Sequence, residues 1–254
     1  MCTVSWVRVG TTGYALFCNR DELRTREPEE APAVFQRDGV QYLSPRDGDF
    51  GGTWVTVNEF GVAVTLLNGY AESRGAERED WTSRGLLVDQ MAHMPSVAEF
   101  EDCLRGAELE EYRPFQMLAI DALGGLACLR WDGLDLISRL APEQELPLVS
   151  SGVDAEKVRA HRQALFRDKV ARAGELTPEM LESFHRNHDG GPSELSTCMH
   201  REDAKTRSLC RIIVNDAEVR FDYVPGSPCK TEWARGLSLR LRGSKRSRFE
   251  GPNQ

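Results

Sequence analysis

The chain has 254 residues, of which 40% are hydrophobic and 28% charged, and its formal net charge is −8. A chain of this length buries about three-quarters of its unfolded surface, so it needs neither disulfides nor a metal to fold. No apolar run approaches the roughly 18 residues of a membrane span, and a pI near 5.3 argues against a nucleic-acid binder.

The opening MCTVSWVRVG lacks a basic n-region and an apolar core, so the expected location is cytoplasmic. The seven cysteines are odd in number and irregular in spacing, and they read as reduced thiols. No CxxC pair is present, which argues against a thiolate metal site.

Residues 3–9 and 14–18 are rich in β-branched and aromatic side chains and flank Gly10-Thr11-Thr12-Gly13, so they read as a hairpin. A turn centred near residue 11 places Cys2 across from Arg20. The rest of the first forty residues reads as loop. A second hairpin pairs 53–57 with 62–67 around Asn58-Glu59-Phe60-Gly61, bringing Gly51 and Gly52 beside Leu67 and Asn68. A polar loop over 72–80 leads to helices at 81–93 and 96–105, broken at Met94-Pro95.

Strands follow at 115–120, 126–131 and 134–138, joined by Gly124-Gly125 and Asp132-Gly133 turns. After 146–149 comes a long helix, 153–171, with Val158, Leu165, Phe166 and Val170 on its apolar side. Thr177-Pro178 opens another helix, threonine capping and proline first inside. Strands 208–214 and 218–223 turn at Asn215-Asp216. The strand pairs read as antiparallel hairpins, which gives an α+β fold of mainly antiparallel sheets in one domain over 1–234. Residues 235–254, rich in Lys and Arg, read as a basic frayed tail.

Chemistry is concentrated at the start. Removal of Met1 would leave Cys2 with a thiol and a free α-amine of pKa about 7.7–8.0, so one residue supplies both nucleophile and base. The strand ending at Cys18 runs into Asn19-Arg20-Asp21-Glu22, which places these polar residues at a sheet edge opposite Cys2. There Arg20 would lower the thiol pKa, and Asp21 would accept a hydrogen bond from the α-amine. The competing reading of Arg20 and Asp21 is an ordinary surface pair. His185, His188 and Asp189 have metal-like spacing, but HRNHDGG reads better as a helix end entering a glycine turn. Cys198 and His200 are neighbours without an orienting base, although His200 could face the site.

Cys2-Thr3, Asn19-Arg20-Asp21-Glu22 and Gly51-Gly52-Thr53-Trp54 together resemble the NRDE, or transport and Golgi organisation protein 2, family. Leu67-Asn68, Ser83-Arg84-Gly85 and Thr206-Arg207-Ser208 extend the resemblance to about Trp233. That family is similar to the N-terminal-nucleophile hydrolases of the choloylglycine hydrolase and penicillin acylase type. The resemblance implies a four-layer αββα sandwich, with Cys2 as nucleophile and Arg20 and Asp21 beside it. It further implies Asn68 as an oxyanion donor and Arg207 as a late arginine of the site. Ser151 stands where an asparagine is expected, and Asn19, Ser151 and His200 are the candidate substrate contacts.

The implied activity is that of an amidase, thioesterase or acyltransferase on a small acyl substrate, with no cofactor or metal. The alternative is a non-catalytic binding protein for a lipid-like or haem-like ligand.

Overall fold

The computed structural model describes residues 2–70, 79–140, 142–188 and 190–243. Its strands form two antiparallel sheets. The first hairpin, β1 (Cys2–Arg8) and β2 (Tyr14–Leu23), pairs Cys2 with Arg20 and Arg8 with Tyr14 around the glycine turn. The next four strands, β3 (Glu30–Arg37), β4 (Val40–Arg46), β5 (Val55–Asn58) and β6 (Ala63–Asn68), join β7 (Phe115–Ile120), β8 (Leu126–Trp131) and β9 (Leu136–Ser138) in a seven-stranded sheet in chain order. The remaining strands are β10 (Leu148–Ser150), β11 (Ala204–Val214), β12 (Glu218–Pro225) and β13 (Leu237–Arg240). They complete a six-stranded sheet, β10-β1-β2-β11-β12-β13.

Helices cover the outer faces. Helix α1 (Arg84–Gln90) and α2 (Val97–Arg105) lie on the seven-stranded sheet, burying Leu87, Val88, Phe100 and Leu104 against Val64, Met117 and Leu129. Helix α3 (Ala155–Ala173) and α4 (Pro178–His185) lie on the six-stranded sheet, where Phe166 and Phe184 meet edge to face. Between the sheets, Trp6, Leu16 and Cys18 pack with Leu43, Val55 and Leu118. The layers therefore run α, β, β, α. The expected α+β sandwich is the fold.

Local signals placed the helix starts well. Ser96 accepts from the Glu99 amide and Thr177 from the Met180 amide, each satisfying a donor that the first helical turn cannot. On α3, Val158 and Phe166 are buried as expected, but so is Arg162, on an otherwise polar helix.

Four expectations are corrected. The strand expected to end at Cys18 continues to Leu23, because β11 supplies partners for its polar half: Thr206 opposite Asp21 and Ala204 opposite Leu23. The region expected as loop holds the β3–β4 hairpin, whose β3 is largely exposed and so lacks an apolar alternation. The first helix is only Arg84–Gln90 rather than 81–93. The tail expected to fray from 235 contains β13, which pairs Leu239 with Val219; residues 244–254 lie outside the described residues, as do 72–78 of the expected polar loop and Asp189. No helix among the described residues is long and apolar enough to cross a membrane.

Candidate active site

Strand alternation sorts the Asn19-Arg20-Asp21-Glu22 segment onto two faces. Arg20 points between the sheets with Cys2 and Cys18, while Asn19 and Asp21 point toward α3 and α4. This one geometric fact divides the candidate residues.

On the inner face, Cys2 opens into a cavity of about 350 Å³ that Arg20, Glu22, Asp47, Trp54, Asn68 and Arg84 also line. Arg20 is 4% exposed and is held on three sides. It donates to Glu29 at 3.1 Å and to Asp47, and its guanidinium lies over the Trp54 ring, 4.4 Å from the centroid. Gly52 of the Gly51-Gly52-Thr53-Trp54 turn permits this. A Cβ there would come within 2.5 Å of the Gly85 carbonyl carbon, so the turn that carries Trp54 can dock on the Ser83-Arg84-Gly85 segment only with glycine.

The Cys2 thiol is shifted toward thiolate. The chief cause is a hydrogen bond from the Cys18 thiol; burial and the Asp21 charge oppose it, and the positive chain terminus and Arg20 assist. Cys18, tied to Cys2 and fully buried, has its own pKa pushed well up and remains the proton donor. Thr65 on β6 in turn donates to Cys18 at 3.7 Å. Burial shifts other thiols the opposite way: Cys103 and Cys210 upward, and Cys128 to about 11. The Cys2 nitrogen donates to Ser150 Oγ at 3.0 Å, across the β1–β10 pairing that sets Cys2 opposite Ser150.

Asn68, at the end of β6, lines the Cys2 cavity, and its side-chain amide donates to the Tyr70 hydroxyl at 2.8 Å. It also borders a neighbouring cavity of about 80 Å³. Ser151 lines that second cavity rather than the first, with its hydroxyl turned to the Val153 carbonyl.

The other expected site residues lie elsewhere. Asp21 is fully buried on the helix side, where Arg162 pairs with it at 3.1 Å and Thr206 donates to it at 2.6 Å. Ser150, not Asp21, therefore meets the Cys2 nitrogen. Asn19 is fully buried on the same side, donating to the carbonyls of His185 and Thr197 at 2.9 Å and contacting His185 Nδ1 at 3.0 Å. A bulge between Thr206 and Ser208 turns Arg207 outward. It pairs with Glu29 at 3.3 Å and lines a separate cavity with Lys205 and Tyr223. His200 stands beside Cys198, Cys229 and His188, on the far side of the six-stranded sheet from Cys2.

Sequence reasoning placed Glu22 near Cys2 without giving it a role, and missed Asp47, Arg84 and Cys18 as its neighbours. For Cys18 and Glu22 the signal was present, since residues two apart on β2 share the face of Arg20. For Asp47 and Arg84 only long-range packing brings them in. Burial also lowers the Arg84 pKa, which marks a cation held largely out of water.

The family model named Transport and Golgi organisation 2 matches residues 1–232. The chain belongs to that family. No curated protein matches it. Among solved structures, a mutant of conjugated bile acid hydrolase from Clostridium perfringens is similar over 95% of this chain and 92% of its own, at 11% identity and a TM-score of 0.54. An N-acylethanolamine-hydrolyzing acid amidase orthologue from Caenorhabditis elegans is similar over 84% and 92%, at 12% identity and a TM-score of 0.57. Penicillin V acylase from Agrobacterium tumefaciens covers 88% and 86%, at 14% identity and a TM-score of 0.52. At such identities, these likenesses show that the chain has the fold of the N-terminal-nucleophile hydrolases.

Proposed function

We propose that this member of the family is an N-terminal cysteine hydrolase or acyltransferase acting on a small amide, ester or thioester. The observation that carries the reading is the placement of Cys2. Its thiol opens into a cavity, its acidity is raised by Cys18 and Arg20, and its nitrogen is fixed by Ser150. With Met1 removed, that nitrogen is an amine. It takes the thiol proton as the sulfur attacks the substrate carbonyl, then protonates the departing amine or alcohol. Water, or an acceptor nucleophile, cleaves the resulting thioester and restores the thiol. Asn68 is the candidate donor to the oxyanion, and Arg20 offsets charge at the sulfur. Arg26, Arg84 and Arg113 line the cavity walls with Glu22 and Asp47, and Phe50, Trp54 and Trp81 supply apolar surface for an acyl group.

A binding protein of the same fold, holding a lipid-like or haem-like ligand, is the second reading. Its support is specific: Ser151 replaces an expected oxyanion donor and turns its hydroxyl away to Val153.

The test combines intact-mass measurement with an acyl-mimicking electrophile. The hydrolase reading expects a chain lighter by one methionine and label concentrated on Cys2 over the other six cysteines. Active protein that retains Met1 would end the self-base mechanism, because an amide nitrogen cannot take up the proton. Label spread evenly over the accessible thiols would favour the binding protein.

A further inference from the structure

On the outer side of the six-stranded sheet, Cys198, His200 and Cys229 bring two sulfurs and an imidazole nitrogen together. His200 Nε2 lies 3.6 Å from Cys198 Sγ and 3.4 Å from Cys229 Sγ, and the three donor atoms all fall within 4.8 Å of one another. We propose that these three side chains bind a zinc ion.

The spacing of the three donors fits a tetrahedral ion, and without an ion Cys198 and Cys229 hydrogen-bond to each other. A neutral imidazole nitrogen has one lone pair or one proton, so Nε2 can satisfy one of the two thiols but not both. A tetrahedral zinc ion has Zn–S bonds of about 2.3 Å and Zn–N bonds of about 2.0–2.1 Å, which set an S···N edge of about 3.6 Å. The two observed separations sit close to that edge. A single ion at the centre would therefore meet all three donors with little rearrangement.

The backbone holds the donors in place. Cys198 ends a run of bends, and His200 is fixed by an isolated bridge to Lys205. The amides on either side are anchored: Cys198 to the Asn187 carbonyl at 2.9 Å and His200 to the Ser193 carbonyl at 3.1 Å. His188 packs edge to face on the His200 ring, 5.8 Å between centroids, which fixes its orientation. Cys229 comes from the turn after β12, closed by the Lys230 amide on the Ser227 carbonyl at 3.0 Å.

Burial keeps the metal-free Cys198 thiol protonated, with its pKa pushed up to about 12, so a divalent ion would have to displace that proton on binding. Two thiolates cancel the charge of a divalent ion, so Arg24, Lys205 and Lys230, which act on His200, would not repel the filled site. Cys198 is fully buried, whereas His200 and Cys229 are half-buried, so an ion can enter from solvent. Binding would displace two thiol protons and tie the segment before β11 to the turn after β12. This proposal is independent of any chemistry at Cys2.

The experiment uses the untagged full chain, purified under reducing conditions. Metal analysis is expected to find about one zinc per chain, unchanged in Cys103→Ala. Cobalt titration is expected to give the thiolate-to-metal absorption of a tetrahedral site, and His200→Ala and Cys229→Ser should each weaken zinc binding more than about tenfold. These two variants change half-buried positions, so their folding can be confirmed by circular dichroism. A folded, reduced parent protein that takes up no zinc and gives no thiolate–cobalt band overturns the proposal. So does zinc content equal to the parent's in both variants, or a Cys198–Cys229 disulfide whose reduction restores no metal uptake.

Discussion

Cys2 and Cys18 share one face of the β1–β2 pair, and the Cys18 thiol donates its proton toward the Cys2 sulfur. A thiol whose pKa is lowered is more ionised near neutrality, so loss of the donor should move Cys2 back toward an ordinary thiol. Cys18→Ala is therefore expected to slow Cys2 alkylation at pH 7 severalfold and shift its pH profile to higher pH. Each pKa unit corresponds to about 1.4 kcal/mol, a tenfold change in ionisation. Cys18→Ser, which keeps a donor, should recover much of the rate. Mass spectrometry of the Cys2 peptide checks both, and an unmoved profile in Cys18→Ala would refute the role.

Arg20 joins three acids, Glu22, Glu29 and Asp47, to the Trp54 face from a buried position, so it is not an exposed edge charge. Arg20→Gln should lower Cys2 alkylation and also lower the melting temperature. Removing one member of a buried ion pair costs about 3–5 kcal/mol. Here Arg26 still pairs with Asp47 and Arg207 with Glu29, so the loss should fall at or below the lower end. Denaturant unfolding measures the stability, and alkylation well below the transition separates the chemical effect.

Asp21 contacts Arg162 and Thr206 rather than Cys2, which it reaches only through its charge. Asp21→Asn is expected to destabilise the protein by about 3–5 kcal/mol, because the Arg162 guanidinium is left buried without its carboxylate. Removing the Asp21 charge, which opposes the Cys2 thiolate, should move the pH profile of Cys2 alkylation in the folded fraction modestly to lower pH. A marked shift in that profile with little loss of stability would return Asp21 to the active site.

His185 is fully buried between Ser5 and Asn19, and burial, aided by the Arg162 charge, lowers its pKa to about 3. The native state therefore keeps it neutral while the unfolded chain protonates it near 6.5, so unfolding takes up a proton and stability falls as pH drops below that value. Between pH 7.5 and 5 this single group should remove about 2 kcal/mol from the unfolding free energy. His185→Gln should show a correspondingly flatter dependence over that window, whatever its stability at pH 7.5. Parallel slopes for the two proteins would mean that His185 is protonated in the native state.

Local sequence was enough wherever short-range geometry decides. The Gly10–Gly13 turn fixed the β1–β2 register, so Cys2 opposite Arg20 could be derived by counting residues. The Ser96 and Thr177 caps fixed two helix starts for the same reason: donor and acceptor are three residues apart. Even the separation of Arg20 from Asp21 was implicit in the two-residue period of a strand, once the strand was known to continue past Cys18.

Tertiary structure decided what those residues meet. The polar half of β2 is a strand only because β11, far along the chain, pairs with it, and the bulge in β11 turns Arg207 away from Cys2. Arg162 reaches Asp21 across 141 residues, a contact that no local pattern on a polar helix announces. Turns, caps and alternation thus gave the α+β class and the placement of the nucleophile candidate, because they act over a few residues; the family and the αββα layering came from the resemblance of the chain's motifs. The partners that set charge around Cys2, and the meeting of Cys198, His200 and Cys229, required the packed sheets, because electrostatics and metal geometry depend on distance in space.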